Sequence, residues 1–319
     1  MIKVLVLCAL SLGFMACQIK PTKVTAQDEA IFKDGKKIED VMKEQPAILD
    51  ARSSFEFNLN HVPNSVNVRW EDFSQQDHTS RGLLDADLFG LARRLSLVGI
   101  DLDRPVIVLG KGALGQGEEG RVAWTLKVLG VKRVYTSDIK GMRSATPREE
   151  PPIQNRPYWK PEVDETLWID MKTFKSFAQN KIVPRALPSR ARGAALGVGA
   201  LSIPETQILG KNFKDVYAKA IVLDVRSAEE FNIENLTQKK NVSLPVTQIT
   251  WTEFFNTKGA PKASVLADLE AKNITKENYI FVISKHGVRS GAVTYALRQL
   301  GWTNVTNVAG GYEQWHLVR

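Results

Sequence analysis

The chain can be laid over itself, and that repeat constrains its fold more than any other feature. Pro46-Ala47-Ile48-Leu49-Asp50-Ala51-Arg52 returns as Lys219-Ala220-Ile221-Val222-Leu223-Asp224-Val225-Arg226, and Glu56-Phe57 returns as Glu230-Phe231, at the same offset of 174. Trp70-Glu71-Asp72-Phe73 pairs with Trp251-Thr252-Glu253-Phe254 at offset 181, and Leu126 to Gly130 with Leu297 to Gly301 at offset 171. Val106 to Leu109 answers to Ile280 to Ile283. Offsets that drift by a few residues while keeping their order are the mark of a duplication with altered loops. A chain of 319 residues built this way is two domains of ordinary size.

Each copy alternates short Val/Ile-rich runs, bounded by turn residues, with helical patterns. The runs read as buried parallel strands. Lys37 to Lys43 sets Ile38, Val41 and Met42 on one helical face, and Val122 to Leu129 is a second helix. Such alternation predicts an α/β fold in which each domain is a parallel sheet with helices on both faces. Pro147, Pro151, Pro152, Pro157 and Pro161 cannot build a sheet core and mark a stiff linker. The expected division is domain 1 at 28–146, linker at 147–163 and domain 2 at 164–319, with an insertion at about 182–214.

The first residues read as an export signal. Lys3 precedes the apolar run Val4 to Phe14, too short to span a bilayer. The run closes on Phe14-Met15-Ala16-Cys17, which resembles a bacterial lipobox. That resemblance implies a signal peptide at 1–16, acylation of Cys17, and a polar tether at 17–27. It also implies an extracytoplasmic, membrane-anchored protein, with Gln18 favouring the outer membrane in a diderm host. The only other cysteine, Cys8, leaves with the signal, so no disulfide framework or thiolate metal site is expected. A net charge of +8 leans towards anionic partners, but 43 basic residues interleave with 35 acidic ones. Without a concentrated basic stripe, nucleic acid is not an expected partner.

The motifs point to one family. Leu223-Asp224-Val225-Arg226-Ser227 with Glu229-Glu230-Phe231 and, in the first copy, Leu49 to Ser53 with His61 to Val68 resemble the opening motif of rhodanese domains. Ser284-Lys285-His286-Gly287-Val288-Arg289 follows a strand and opens a helix, and Gly310-Gly311-Tyr312-Glu313-Gln314-Trp315 resembles the family's closing motif. The similarity spans nearly all of the chain after the tether, in the manner of tandem-domain thiosulfate and 3-mercaptopyruvate sulfurtransferases, with a non-catalytic first domain.

The physics of such a loop accounts for that family's chemistry. A strand hands the chain to a tight turn, the next helix begins at once, and backbone N–H groups converge on a small cup at the positive end of the helix dipole. The resemblance puts a cysteine at the start of the cup, where the lowered thiol pKa allows a persulfide to form. In this chain Ser284 stands there, and a hydroxyl forms no stable persulfide analogue. Sulfur transfer is therefore expected to be absent, and the loop Ser284 to Arg289 is expected to hold an anion, with Gly287 making the turn and Lys285, His286 and Arg289 supplying positive charge. His286 is expected to face solvent. Asp224 and Arg226 are expected to form an internal ion pair that braces the loop. Glu56 and Glu230 occupy the place where thiosulfate-specific relatives carry an arginine, and a carboxylate there opposes a dianionic donor.

Two other readings stay open. One is an active enzyme, either a residual sulfurtransferase or a hydrolase with Ser284 as nucleophile and His286 as base, although no acid partner is evident. The other is nucleotide binding at Gly110-Lys111-Gly112-Ala113-Leu114-Gly115, formally G-x-G-x-x-G. The repeat sets that stretch opposite Ser284 to Arg289, and Glu118 and Glu119 at the following helix would repel a pyrophosphate, so it is expected to be a degenerate loop. The expectation is a binding module with no cofactor and no metal, its partner a small oxyanion or an acidic protein surface.

Overall fold

The computed structural model describes residues 32–142, 156–181 and 207–318. The expected signal peptide and tether, Cys17, the start of the linker and the insertion up to residue 206 lie outside these residues. The elements are α1 (Ile38–Lys43), β1 (Ala47–Asp50), α2 (Ser54–Leu59), β2 (Ser65–Asn67), α3 (Leu88–Leu97), β3 (Val106–Gly110), α4 (Glu118–Val128), β4 (Val134–Asp138), β5 (Trp168–Ile169), α5 (Met171–Ala178), β6 (Gln207–Ile208), β7 (Lys211–Asn212), α6 (Phe213–Ala218), β8 (Ala220–Asp224), α7 (Ala228–Ile233), β9 (Val246–Gln248), α8 (Val265–Ala271), β10 (Tyr279–Ile283), α9 (Val288–Gln299), β11 (Val305–Val308) and α10 (Gly311–Leu317).

Two parallel sheets result, ordered β2-β1-β3-β4 and β5-β11-β10-β8-β9. The duplicated strands take equivalent places: β1 pairs with β3 through Leu49 opposite Val108, and β8 pairs with β10 through Leu223 opposite Val282. Strand periodicity sorts the core into layers. In the first sheet Leu49, Val106, Val108 and Val134 face α3 and α4, while Ile48, Ile107, Leu109 and Tyr135 face the α1 side. In the second, Leu223, Ile280 and Val282 face α8 and α9, while Val222, Phe281 and Ile283 pack on Phe174, Phe177, Phe213 and Trp315 of α5, α6 and α10. The α/β architecture with helices on both faces follows from this alternation.

Three local expectations change. Met42 does not share the buried face of α1 but is 38% exposed, because that six-residue helix settles on the sheet through Val41. Residues 207–214, expected to belong to the insertion, form the β6–β7 hairpin and the start of α6. The described end of the linker is packed: Trp159 is buried in the first core and donates Nε1–H to Ile100 O at 2.9 Å, and Glu162 N–H donates to Leu129 O.

The domains meet along α4 and α9, each of which starts at a left-handed glycine, Gly117 and Gly287. Their backbones come close: a Cβ on Gly120 would lie 2.5 Å from Ala292 Cβ. From α9, Val288 and Tyr295 belong to the first domain's core, and the Tyr295 hydroxyl donates to Val134 O at 2.9 Å. Two buried helices, one from each domain, thus join two sheets. Among the described residues no helix is long and apolar enough to cross a membrane.

Candidate functional site

The loop after β10 is shaped by Gly287. Its φ of +82° is a conformation that glycine adopts without strain, and a Cβ there would sit 2.9 Å from Gly310 N. The turn folds back on Ser284, which is 1% exposed. Its Oγ accepts hydrogen bonds from the N–H groups of Gly287 and Ser290, both at 3.2 Å, and lies 3.0 Å from Ser290 Oγ. Ser290 Oγ donates to Asn307 Oδ1 at 2.7 Å, and Asn307 Nδ2 donates to Gly287 O at 3.3 Å. A closed polar network therefore runs from Ser284 through α9 and β11 back to the turn. The first turn of α9 leaves the N–H groups of Val288 and Arg289 outside the intrahelical ladder.

The charges around the loop differ from expectation in two places. Arg289 is committed to Glu230: Nη1 and Nη2 donate to the two carboxylate oxygens at 2.6 and 2.7 Å. Chiefly through this bond, Glu230 is held well below the ordinary carboxylate range, at about 2. His286 does not simply face solvent. Its Nδ1 lies 2.7 Å from Glu313 Oε2, an electrostatic contact out of line for a hydrogen bond, and its side chain is mostly covered. Burial draws its pKa below 6.5, with Glu313 pulling the other way.

Asp224 and Arg226 form the expected ion pair. Arg226 Nε and Nη2 donate to the Asp224 carboxylate at 3.0 and 2.7 Å, and the guanidinium lies 3.7 Å from the centre of the Tyr312 ring. They reach the loop through Tyr312, whose backbone N–H donates to Ser284 O at 2.9 Å. Asp50 and Arg52 repeat the pair in the first domain, where no such loop follows, which marks the motif as a brace for the strand end.

The first domain supplies the facing wall. Gly82 packs directly on the loop: a Cβ there would fall 1.7 Å from His286 O. Arg121, buried in α4, donates to Gly287 O at 3.0 Å and to Gly82 O at 2.9 Å, and its guanidinium stacks 4.3 Å from the Trp124 ring centre. Gln314 Nε2 donates to Thr79 O. Between wall and loop lies a cleft of about 460 Å³, lined by Trp70, Glu71, Arg81, Gln116 and Glu118 on one side and by Glu230 and the Ser284–Arg289 loop on the other.

The glycine-rich loop of the first domain is no phosphate cradle. Its turn Gly112–Leu114 leads into α4, and the buried Glu119 carboxyl fills the space a Cβ on Gly110 would take. Lys111 lies 3.3 Å from Glu56, a weaker echo of Arg289 with Glu230.

Sequence reasoning missed the wall, because nothing near Gly82 or Arg121 in the sequence shows that they meet a turn far along the chain. It also missed Glu313. The role of Glu230 had a local signal, since Ser227-x-x-Glu230 and Ser53-x-x-Glu56 form capping boxes on α7 and α2. Among the described residues no group of three or more His, Cys, Asp or Glu is placed to hold a metal ion.

The model of the rhodanese-like domain family matches residues 35–139 and 206–317. Among curated proteins none matches. Among solved structures, the 3-mercaptopyruvate sulfotransferase SseA of Escherichia coli superposes with a TM-score of 0.59 at 19% identity, over 86% of this chain and 94% of that one. A probable thiosulfate sulfurtransferase gives 0.52 at 17% identity, over 86% and 97%. The Tum1 protein of Saccharomyces cerevisiae gives 0.58 at 14% identity, over 85% and 89%. At these identities the likeness is one of fold.

Proposed function

Because the chain belongs to the rhodanese-like domain family, of which it carries two copies, we propose that it is a non-catalytic member that binds a small oxyanion or an acidic side chain of a partner at the Ser284–Arg289 loop. The observation that carries this reading is the Ser284 hydroxyl, buried at the focus of the loop amides where the family's persulfide chemistry calls for a thiol. The pKa of a hydroxyl is far too high for the cup to leave it ionised, and oxygen does not take up sulfane sulfur. No other thiol stands among the described residues, since Cys8 and Cys17, the only cysteines, lie outside them. What the loop retains is suited to an anion: free amides at the start of α9, Lys285, and Arg289 once Glu230 yields.

The contact of His286 with Glu313 favours a second reading, a Ser284-dependent hydrolase. Against it, Ser284 Oγ is buried and bonded to Ser290 and two amides, and no described bond joins it to His286. Hydrolysis of activated esters that Ser284→Ala abolishes would favour this reading.

The test of the main reading is thermal unfolding in sulfate and in thiosulfate beside a thiosulfate:cyanide assay. Stabilisation by either anion that Arg289→Ala removes supports the cup, as binding to the folded state alone must raise its stability. Turnover above background would overturn the non-catalytic assignment. The reading extends to location: an exported lipoprotein anchored through Cys17, facing the periplasm or the outer membrane of a diderm bacterium. Fatty-acid labelling that persists in Cys17→Ser would end that part.

A further inference from the structure

Besides the Arg289–Glu230 pair, the interdomain cleft carries charges of both signs that do not pair with one another. Glu71, in the 3-10 turn Trp70–Phe73, and Glu118, the first residue of α4, line it from the first domain. Glu118 accepts the N–H of Gln116 at 2.6 Å, a bond that leaves its charge uncompensated, and neither carboxylate has an ion-pair partner among the described residues. Arg81 and Lys285 line the same cleft and likewise form no ion pair among the described residues. Elsewhere, charges within reach have closed into pairs, as Lys132 has with Asp103 at 2.8 Å and Arg94 with Asp85 at 3.1 Å. Arg81 stands on the same wall as the two carboxylates, 5.9 Å from the Trp70 ring centre.

Glu71 and Glu118 on the first-domain wall and Lys285 on the loop, across a cleft of about 460 Å³, specify the occupant more narrowly than the loop alone. A small dianion would be drawn by Lys285 and the α9 amides but repelled by Glu71, Glu118 and the Glu230 that already occupies Arg289. A simple cation would meet the reverse. Resting on the reading of the Ser284–Arg289 loop as an anion cup, we propose that the ligand is a small zwitterion. Its sulfonate or carboxylate group sits on the cup, and its ammonium points towards Glu71 and Glu118. Both ends then gain a charge-assisted contact.

Three matched probes separate the contributions: taurine has both charges, ethanesulfonate lacks the ammonium, and ethylammonium lacks the sulfonate. Calorimetric titration at fixed ionic strength should find taurine bound about tenfold more tightly than ethanesulfonate, the worth of one good charge-assisted contact. Ethylammonium should bind most weakly. In the Glu71→Gln/Glu118→Gln double variant the taurine preference should vanish while ethanesulfonate binds at least as well as before. Should that variant not fold, Glu118→Gln alone should reduce the preference. Ethanesulfonate equalling taurine on the wild type, or a preference that survives both variants, overturns the dipolar ligand and leaves the anion cup standing. No binding of either sulfonate overturns the cup and this proposal together.

Discussion

Arg121 Nη1 of the first domain donates to the carbonyl oxygen of Gly287 in the second, at 3.0 Å, across 166 residues of sequence. The same guanidinium holds Gly82 O, so one buried cation ties the turn of the cup to the wall that faces it. It has no carboxylate partner among the described residues, and burial draws its pKa down to about 9. Two carbonyl dipoles and the Trp124 face share the task of stabilising it.

Arg121→Met should keep much of the side-chain volume and lose both hydrogen bonds. Gly287 O keeps the Asn307 amide and the Gly291 N–H, so the cost falls on Gly82 O and should be about 1–3 kcal/mol. Urea unfolding should report the loss, and sulfate-dependent stabilisation should weaken with it, since the turn is no longer held.

Glu119 makes stability depend on pH. Burial raises its carboxyl to about 8 from an ordinary 4.5, and Oε2 has no hydrogen-bond partner. Between those values the folded protein holds a proton that the unfolded chain has released. Stability from this group is therefore complete below about pH 4.5 and lost as pH rises through about 8. The urea midpoint should fall over that interval, and Glu119→Gln, which stays neutral, should flatten the profile and raise the midpoint at pH 8. An unchanged slope in the variant would show that Glu119 is not its source.

Glu230→Gln should free Arg289. The two bonds at 2.6 and 2.7 Å are those an entering anion must replace, so sulfate should bind about tenfold more tightly to the variant. The pair, still partly open to solvent, contributes about 1 kcal/mol to folding, so the gain in affinity should come with a small loss of stability. Titration of both forms with sulfate decides it, and equal affinities would mean that Arg289 takes no part.

Ser284→Cys restores a thiol at the focus of the Gly287 and Ser290 amides. The thiol pKa should fall below 8.5, and mass spectrometry after incubation with thiosulfate or 3-mercaptopyruvate should find a sulfane adduct. Absence of an adduct despite a lowered pKa would place the block at donor access, where Glu230 stands.

The fold was legible in the sequence because it rests on period and repetition. Leu49 and Leu223 announce their strands, and the repeat alone aligns β1 with β8 and β3 with β10. The loop Ser284 to Arg289 was legible for the same reason, as a strand, a turn glycine and a helix in immediate succession. Its electrostatics were not. Arg289 read as a free cation until Glu230, 59 positions earlier, was seen to hold it. His286 read as a solvent-facing residue because Glu313 and Gly82 reach it only through the fold. Charge pairing between distant segments depends on side-chain reach in three dimensions, and linear spacing carries no trace of it.

The close approach of Gly120 to Ala292 bears on how the protein can change over time. The two halves of the repeat interlock, with Val288 and Tyr295 of the later half completing the core of the earlier. Neither half can be cut away, exchanged or hinged open without exposing apolar surface meant for the other. A change in the recognition loop must therefore be accommodated by the half that does not bear it, and the two copies are bound to a common history from the duplication onward.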